Sequence, residues 1–235
     1  MINNMKENVA ILGGSFNPIT KGHIEISKFV LNNSNIDYIF ITPCYRHMYN
    51  KPLLDFDKRF EMCKIATKSD GRIKVFDYER EKNLAGETYY LLKNLLTDEK
   101  YENYNFSFII GQDNANTFDK WVNYEELERM TTFVIVPRIG YEPIPGAWYL
   151  KQPHIFLHGE KEYPIIDTSS TQVKDLLQKY RLCDEYVDIS DGYHKQPEYI
   201  DKLNEYKSEL LKIVDNDVFN YIINNRLYDN IQINK

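Results

Sequence analysis

The chain has 235 residues, enough for one α/β domain of ordinary size with an appendage and a full hydrophobic core. Its 29 basic and 35 acidic residues leave a formal net charge of −6, which argues against nucleic acid as the main partner, because phosphate backbones select clustered Lys and Arg. No apolar run nears the ~20 residues of a bilayer crossing, the stretch from Met1 to Asn8 lacks the apolar region of a signal peptide, and Cys44, Cys63 and Cys183 lie too far apart for a disulfide framework or zinc site, so a cytoplasmic chain without membrane contact is expected.

Short apolar runs alternate with helical patterns along the sequence. Strands are predicted at 9–12, 38–42, 73–76, 106–110, 133–136 and 155–157, each nearly continuous in Ile, Val and Phe, as for strands covered on both faces. Helices are predicted between them at 22–32, 55–68, 87–96 and 124–130. This alternation implies βαβ units and a doubly wound parallel sheet, with ligands bound beyond the carboxyl ends of the strands. Residues 43–54, 137–153 and 181–197 read as loops. Helical patterns follow at 198–214 and 217–225, the last with Asp217 as its N-cap. There is no internal repeat.

Three constellations carry chemistry. The first is Gly13-Gly14-Ser15-Phe16-Asn17-Pro18-Ile19-Thr20-Lys21-Gly22-His23, placed between the first strand and the first helix. Adjacent glycines let backbone N–H groups approach a ligand that a Cβ would block, and a helix N-terminus favours phosphate. His23 adds a side-chain donor there. The segment is neither a Gly-x-Gly-x-x-Gly fingerprint nor a Walker loop. The second is Gly111-Gln112-Asp113 at the end of the fourth strand, followed eight residues later by Trp121. Asp113 there can serve a ribose, a metal or a helix cap, and Trp121 a flat ring or the core. The third is Asp167-Thr168-Ser169-Ser170-Thr171-Gln172-Val173-Lys174, where hydroxyls open a helix and Lys174 reaches the same space one turn in.

The first segment resembles the nucleotidyltransferase signature GG-T/S-F-D/N-P-x-H/T-x-GH. The second is similar to the GQD…W segment of bacterial nicotinate-mononucleotide adenylyltransferases, and the third to their I-S-S/A-T-x-I-R motif, with Lys174 in place of Arg. Lys supplies a point charge without the guanidinium fork. The resemblance extends to Thr88 after Ala85-Gly86-Glu87, to Arg138-Ile139-Gly140-Tyr141, and to the near-terminal Tyr221-Ile222…Leu227-Tyr228, which reads as packing. The family's P-P-H-K loop is replaced by Tyr45-Arg46-His47-Met48-Tyr49-Asn50-Lys51, and a stretch spanning 184–215 is absent from compact members.

The resemblance implies a Rossmann-like nucleotidyltransferase domain over 1–182 with a C-terminal helical extension over 183–235. It implies ATP binding by Gly13, Gly14, Ser15, Phe16, Thr20, Gly22, His23, Gly111, Asp113, Ser169, Ser170, Thr171 and Lys174. Arg46, His47, Lys51, Thr88, Trp121 and Arg138 are the matching candidates for the second substrate, a pyridine mononucleotide. His23 and Lys174 would carry catalysis, with Mg²⁺ entering on ATP and held by no protein metal cluster. Nicotinate against nicotinamide, and a homo-oligomer against a monomer, stay open at this stage. The rival readings are a pantetheine-phosphate adenylyltransferase, a cytidylyltransferase, a class I aminoacyl-tRNA synthetase and a non-catalytic nucleotide sensor. The GQD…W spacing and the chain length disfavour the first two, length and acidity the third, and the intact Gly22-His23 pair the fourth.

Overall fold

A computed structural model describes residues 6–157, 169–189 and 197–229. In chain order it runs β1 (Glu7–Gly14), α1 (Lys21–Asn33), β2 (Tyr38–Pro43), α2 (Phe56–Thr67), β3 (Ile73–Val75), a one-turn α3 (Tyr78–Glu81), α4 (Thr88–Leu95), β4 (Tyr104–Gly111), a one-turn α5 (Gln112–Ala115), α6 (Tyr124–Met130), β5 (Thr132–Val136), β6 (Ile155–Phe156), α7 (Ser170–Ile189), α8 (Pro197–Ile213) and α9 (Asn216–Asn224). The strands form one sheet in the order β3-β2-β1-β4-β5-β6, and every neighbouring pair is parallel. The Rossmann-like, doubly wound α/β architecture expected from the alternation is therefore present, with helices added at its C-terminal end.

The near-continuous apolar strands are buried on both faces. Because strand side chains alternate, Ala10 and Leu12 of β1 face one layer and Val9 and Ile11 the other. The first layer takes residues of α1, α2 and α7–α9, including Val30, Met62, Val173, Leu210 and Phe219. The second takes Tyr89, Leu92, Phe118, Leu127 and Tyr149. Strand order reverses between β1 and β4, so a crevice opens beyond their carboxyl ends. Gly13-Gly14 and Gly111 lie at that edge.

Three expectations need correction. Residues 181–197 were expected to be a loop, but α7 continues to Ile189, and it runs unbroken through residues 182 and 183. The reason is visible in the burial pattern: Val173, Leu177, Tyr180 and Cys183 are all buried and recur at helical spacing among the polar residues. The N-cap of α9 is Asp215, whose carboxylate accepts from the Asp217 N–H at 2.8 Å, and Asp217 itself lies in the first turn. The excursion 137–153 is exposed only in part. Its later half is pinned by Trp148, which stacks on Phe118 at 4.3 Å and donates to the Ala115 carbonyl at 3.1 Å, and by Tyr149, which donates to Asn116 Oδ1 at 2.7 Å. Among the described residues no helix is long and apolar enough to cross a membrane.

Phe219 of α9 is 3 % exposed, meets Tyr180 of α7 edge-on at 5.6 Å and belongs to the same core as the sheet. Phe219→Ala is expected to lower unfolding stability by about 3–5 kcal/mol in equilibrium denaturation. An unchanged denaturation midpoint would separate α9 from the sheet core.

Candidate active site

The glycine turn is shaped by its neighbours. A Cβ on Gly13 would lie 3.0 Å from the Phe108 ring and one on Gly14 would lie 3.2 Å from the Phe16 ring. Phe16 adopts a left-handed φ of 43°, is buried, and meets the His23 ring edge-on at 5.0 Å. The turn is held from outside by the Cys44 N–H, which donates to the Gly14 carbonyl at 2.9 Å. Asn17 is 3 % exposed, and its Oδ1 accepts from the Leu54 N–H at 3.3 Å and the Tyr228 hydroxyl at 3.0 Å.

His23 is fixed at the start of α1 by a reciprocal cap. The Thr20 backbone N–H donates to His23 Nδ1 at 3.0 Å, and the Thr20 hydroxyl lies 2.9 Å from the same nitrogen. A backbone N–H can only donate, so Nδ1 is the acceptor and the ring proton sits on Nε2. Burial drives the imidazole from its ordinary value of 6.5 down to about 4, against the opposing Thr20 hydrogen bond. At neutral pH His23 is therefore an uncharged donor.

The second helix start faces the same turn. Ser170 Oγ donates to the Pro18 carbonyl at 2.8 Å, and Ser169 Oγ accepts the Gln172 N–H at 3.1 Å, capping α7. Asp167 and Thr168 lie outside the described residues. Thr171 is exposed in the first turn, and Lys174 stands one turn on. Burial, then the charge of nearby Lys51, lowers the Lys174 ammonium from its usual range. Lys21, by contrast, turns away to donate to the Leu211 carbonyl of α8 at 2.6 Å.

Beside this turn lies a cavity of about 430 Å³ floored by Gly13, Gly14, Ser15 and Gly111. Arg46, His47, Thr88 and Trp121 all line it. Arg46 is paired with Asn83 Oδ1, and burial and Lys51 hold the His47 imidazole low. Thr88 opens α4 after the N-cap Glu87, itself preceded by Gly86, whose φ is +89°. Trp121 rests against Phe118 at 5.4 Å. Asp113 and Arg138 are not among the lining residues. They face each other at 3.3 Å, and the Asp113 carboxylate folds back so closely that a Cβ on Gly111 would be 2.5 Å from it. The structure thus gathers the candidates into three neighbouring groups: the cavity wall, the His23–Ser170–Lys174 helix starts and the Asp113–Arg138 pair.

Sequence reasoning missed two buried charges and underrated a tyrosine. Arg59 of α2 is 1 % exposed and donates to the carbonyls of Leu54, Ser15 and Cys44, each at 2.8 Å, and to that of Tyr45 at 3.4 Å. It shares one helical stripe with buried Phe56 and Cys63, so a cation on an apolar face was the available signal. Glu79 is 3 % exposed at the cavity edge, in a short polar segment that carried no pattern. Tyr228 read as packing, yet its hydroxyl donates to Asn17 in the Gly13–His23 turn.

Comparison with known proteins bears on this geometry. The family described as Cytidylyltransferase-like matches residues 11–176. A "Probable nicotinate-nucleotide adenylyltransferase" of Flavobacterium johnsoniae is 31% identical over 208 residues, which cover 85% of this chain and 98% of the relative. The chain belongs to the nicotinate-nucleotide adenylyltransferase family. A namesake from Anaeromyxobacter dehalogenans is 30% identical over 142 residues, 59% of this chain and 75% of its own. Among solved structures, the Plasmodium falciparum nicotinic acid mononucleotide adenylyltransferase complexed with APC aligns with a TM-score of 0.68 at 25% identity, covering 95% of this chain and 98% of that one. The same enzyme complexed with NaAD gives 0.68 at 24% identity and supports the fold. The C-terminal helices of this member are thus matched in a solved relative.

His23 gives the member an acid-labile cap. Its folded value lies below its unfolded one, so its contribution to stability is present above about pH 6.5 and is lost as pH falls toward about 4. The loss should be on the order of 2–3 kcal/mol. Urea denaturation across this window is expected to show a shallower decline for His23→Gln, whose amide accepts the same N–H without titrating. Parallel curves would remove His23 from the acid response.

Proposed function

We propose that this chain transfers the adenylyl group of ATP to nicotinate mononucleotide, giving the dinucleotide and pyrophosphate in NAD biosynthesis. The observation that carries the reading is the adjacency of two different half-sites. One is a pair of helix starts with a neutral His23 donor and the Lys174 cation. The other is a cavity with an indole and basic side chains on its wall. The first suits a polyphosphate and the second a flat ring carrying a phosphate. Membership of a family whose named relatives are nicotinate-nucleotide adenylyltransferases supports the choice of the acid over the amide.

The 5′-phosphate of the mononucleotide attacks the α-phosphorus of ATP. A P–O bond forms there as the bond to the β-phosphate oxygen breaks, and pyrophosphate leaves with the electron pair. The attacking phosphate is already ionised at neutral pH, so the reaction needs alignment and charge stabilisation more than a base. In this reading the Gly13–Ser15 backbone and His23 Nε2–H hold the α- and β-phosphates. Ser169, Ser170, Thr171 and Lys174 hold the leaving pyrophosphate. Phe16, Thr20 and Gly22 shape the turn, and Gly111 and Asp113 serve the adenosine side. Trp121 stacks on the pyridine ring, Arg46, His47 and Lys51 attract the attacking phosphate, and Thr88 and Arg138 contact the pyridine nucleotide.

Among the described residues no three His, Cys, Asp or Glu side chains converge, and the proposal has Mg²⁺ enter with ATP, held by phosphate oxygens and water. When bound it neutralises triphosphate charge. The three unpaired cysteines suit a cytosolic setting, and the 183–235 extension is read as part of one catalytic unit.

With ATP, Mg²⁺ and nicotinate mononucleotide, one pyrophosphate per dinucleotide is expected, and kcat/KM for the nicotinamide analogue should be lower. Removing one preorganised donor costs about 10²–10³ in turnover, so a folded His23→Ala variant should lose that much kcat. Near-normal turnover of the variant, or no product from the unaltered chain with either mononucleotide, overturns the reading.

A further inference from the structure

The tip of the loop after β2 carries two apolar side chains that the chemistry just described leaves unused. Met48 and Tyr49 both line the cavity, yet both also face water, Tyr49 being 76 % exposed. Val122, another exposed apolar side chain, lines the same cavity and is next in the chain to half-buried Trp121. Single exposed hydrophobics are ordinary, but several gathered on one cavity mark a binding surface. The tip also falls where this chain departs from the family's P-P-H-K loop, so the resemblance assigns Tyr49 nothing.

Topology sets the two apolar groups on opposite sides of the cavity. β2 and β4 flank β1 in the sheet, and the Gly13-Gly14 end of β1 forms the floor between them. Met48 and Tyr49 rise from the chain after β2, whereas Trp121 and Val122 follow β4. Trp121 is backed by Phe118, whose ring lies 5.4 Å away and whose carbonyl accepts the Trp121 backbone N–H at 2.9 Å. The opposing loop is fastened at its base by Arg59, which donates to the Tyr45 carbonyl at 3.4 Å, and by Arg46, which donates to the Asn83 side chain. Its tip is a turn closed on His47. The Asn50 N–H donates to the His47 carbonyl at 2.8 Å, and the Tyr49 N–H donates to His47 Nδ1 at 3.2 Å. Asn50 takes a left-handed φ of 53°, which asparagine tolerates.

We propose that Tyr49 is a further substrate-contact residue: its ring covers the face of the pyridine opposite Trp121, so that the nicotinate ring lies between a phenol and an indole. The charge of the loop points to this occupant. Arg46, His47 and Lys51 stand within three residues of Tyr49. A ligand of this loop therefore meets cationic and polar donors and an aromatic face a short distance apart, and a mononucleotide offers an anion and a flat ring at such a separation. An electron-poor ring also suits the negative face of a phenol. The inference deepens the adenylyl-transfer reading and rests on it. The phosphates of ATP are assigned to the helix starts, so the effect of Tyr49 falls on one substrate and leaves the other.

Two properties separate ring contact from a structural role of the loop. Stacking uses the face of the ring and not its hydroxyl, so phenylalanine should serve where alanine does not. A disturbed loop, by contrast, would also misplace the Arg46, His47 and Lys51 side chains, and would weaken any sugar phosphate, with or without a ring. The exposure of Tyr49 keeps its replacement from unfolding the chain.

Steady-state kinetics of the full chain with ATP, Mg²⁺ and nicotinate mononucleotide tests this in two variants. Tyr49→Ala should raise KM for the mononucleotide about fivefold, with KM for ATP and kcat within about twofold. Tyr49→Phe should keep all three within about twofold of the unaltered chain. Ribose 5-phosphate keeps the sugar phosphate and lacks the ring, so it probes the same wall as a competitor of the mononucleotide. Its inhibition constant should change less than about twofold in Tyr49→Ala. Where ribose 5-phosphate does not inhibit, the comparison of alanine with phenylalanine decides alone. An unchanged mononucleotide KM in Tyr49→Ala overturns the proposal. So does a rise in KM for ATP in its place, an equal rise in the ribose 5-phosphate constant, or a phenylalanine variant as impaired as the alanine one. Absence of product from the unaltered chain would instead strike at the adenylyl-transfer reading.

Discussion

The guanidinium of Arg59 is 1 % exposed and donates to the carbonyls of Ser15, Leu54, Cys44 and Tyr45. A cation taken from water is costly unless its donors are met, and here the negative ends of four peptide dipoles take water's place. Ser15 follows the glycine turn at the end of β1, and Cys44 and Tyr45 follow β2, so one side chain ties together the ends of two neighbouring strands, of which β1 borders the crevice. The exposed Asp113–Arg138 pair, with Arg138 56 % exposed, is a weak constraint by comparison.

From that anchor the constraints run outward in both directions. Toward the helix starts, Gly14 is tied to Cys44, Asn17 to Leu54 and Tyr228, and Pro18 to Ser170. The chain from α7 onward therefore reaches the Gly13–His23 segment at three points, counting Lys21 on Leu211 of α8. Toward the cavity, Arg46 is tied to the Asn83 side chain ahead of α4. The turn that would hold phosphate is rigid because it is bonded on every side, and electrostatic catalysis depends on such preorganisation. His23 fits the same logic: its burial removes its charge, its cap fixes Nδ1 as an acceptor, and Nε2–H remains as its donor.

Much of this was legible in the sequence. Strand–turn–helix order places Gly13 to His23 at the edge of a parallel sheet, and apolar runs without alternation announce strands covered on both faces. Arg46, His47, Thr88 and Trp121 are dispersed over 76 positions in the chain yet line one cavity, because each follows or precedes a strand end. The continuation of α7 past Arg181 was misread because its polar residues outnumber the buried Leu177, Tyr180 and Cys183, although those three sit at helical spacing. Asp217 lost the cap to Asp215 because both aspartates suit it and only backbone geometry selects one. Arg59 and Glu79 were harder to see. The meaning of Arg59 lies in which backbone groups surround it, and backbone hydrogen bonding across 44 positions, as from Arg59 to Ser15, has no one-dimensional pattern.

The most direct test of this account is Arg59→Lys. Lysine keeps the charge and most of the bulk but has no planar fork to reach carbonyls on separate segments. The account predicts a stability loss of about 1–3 kcal/mol in equilibrium denaturation. It also predicts that KM rises together for ATP and nicotinate mononucleotide, because the anchor serves both half-sites. A folded Arg59→Lys variant with unaltered stability and both KM values unchanged would contradict it.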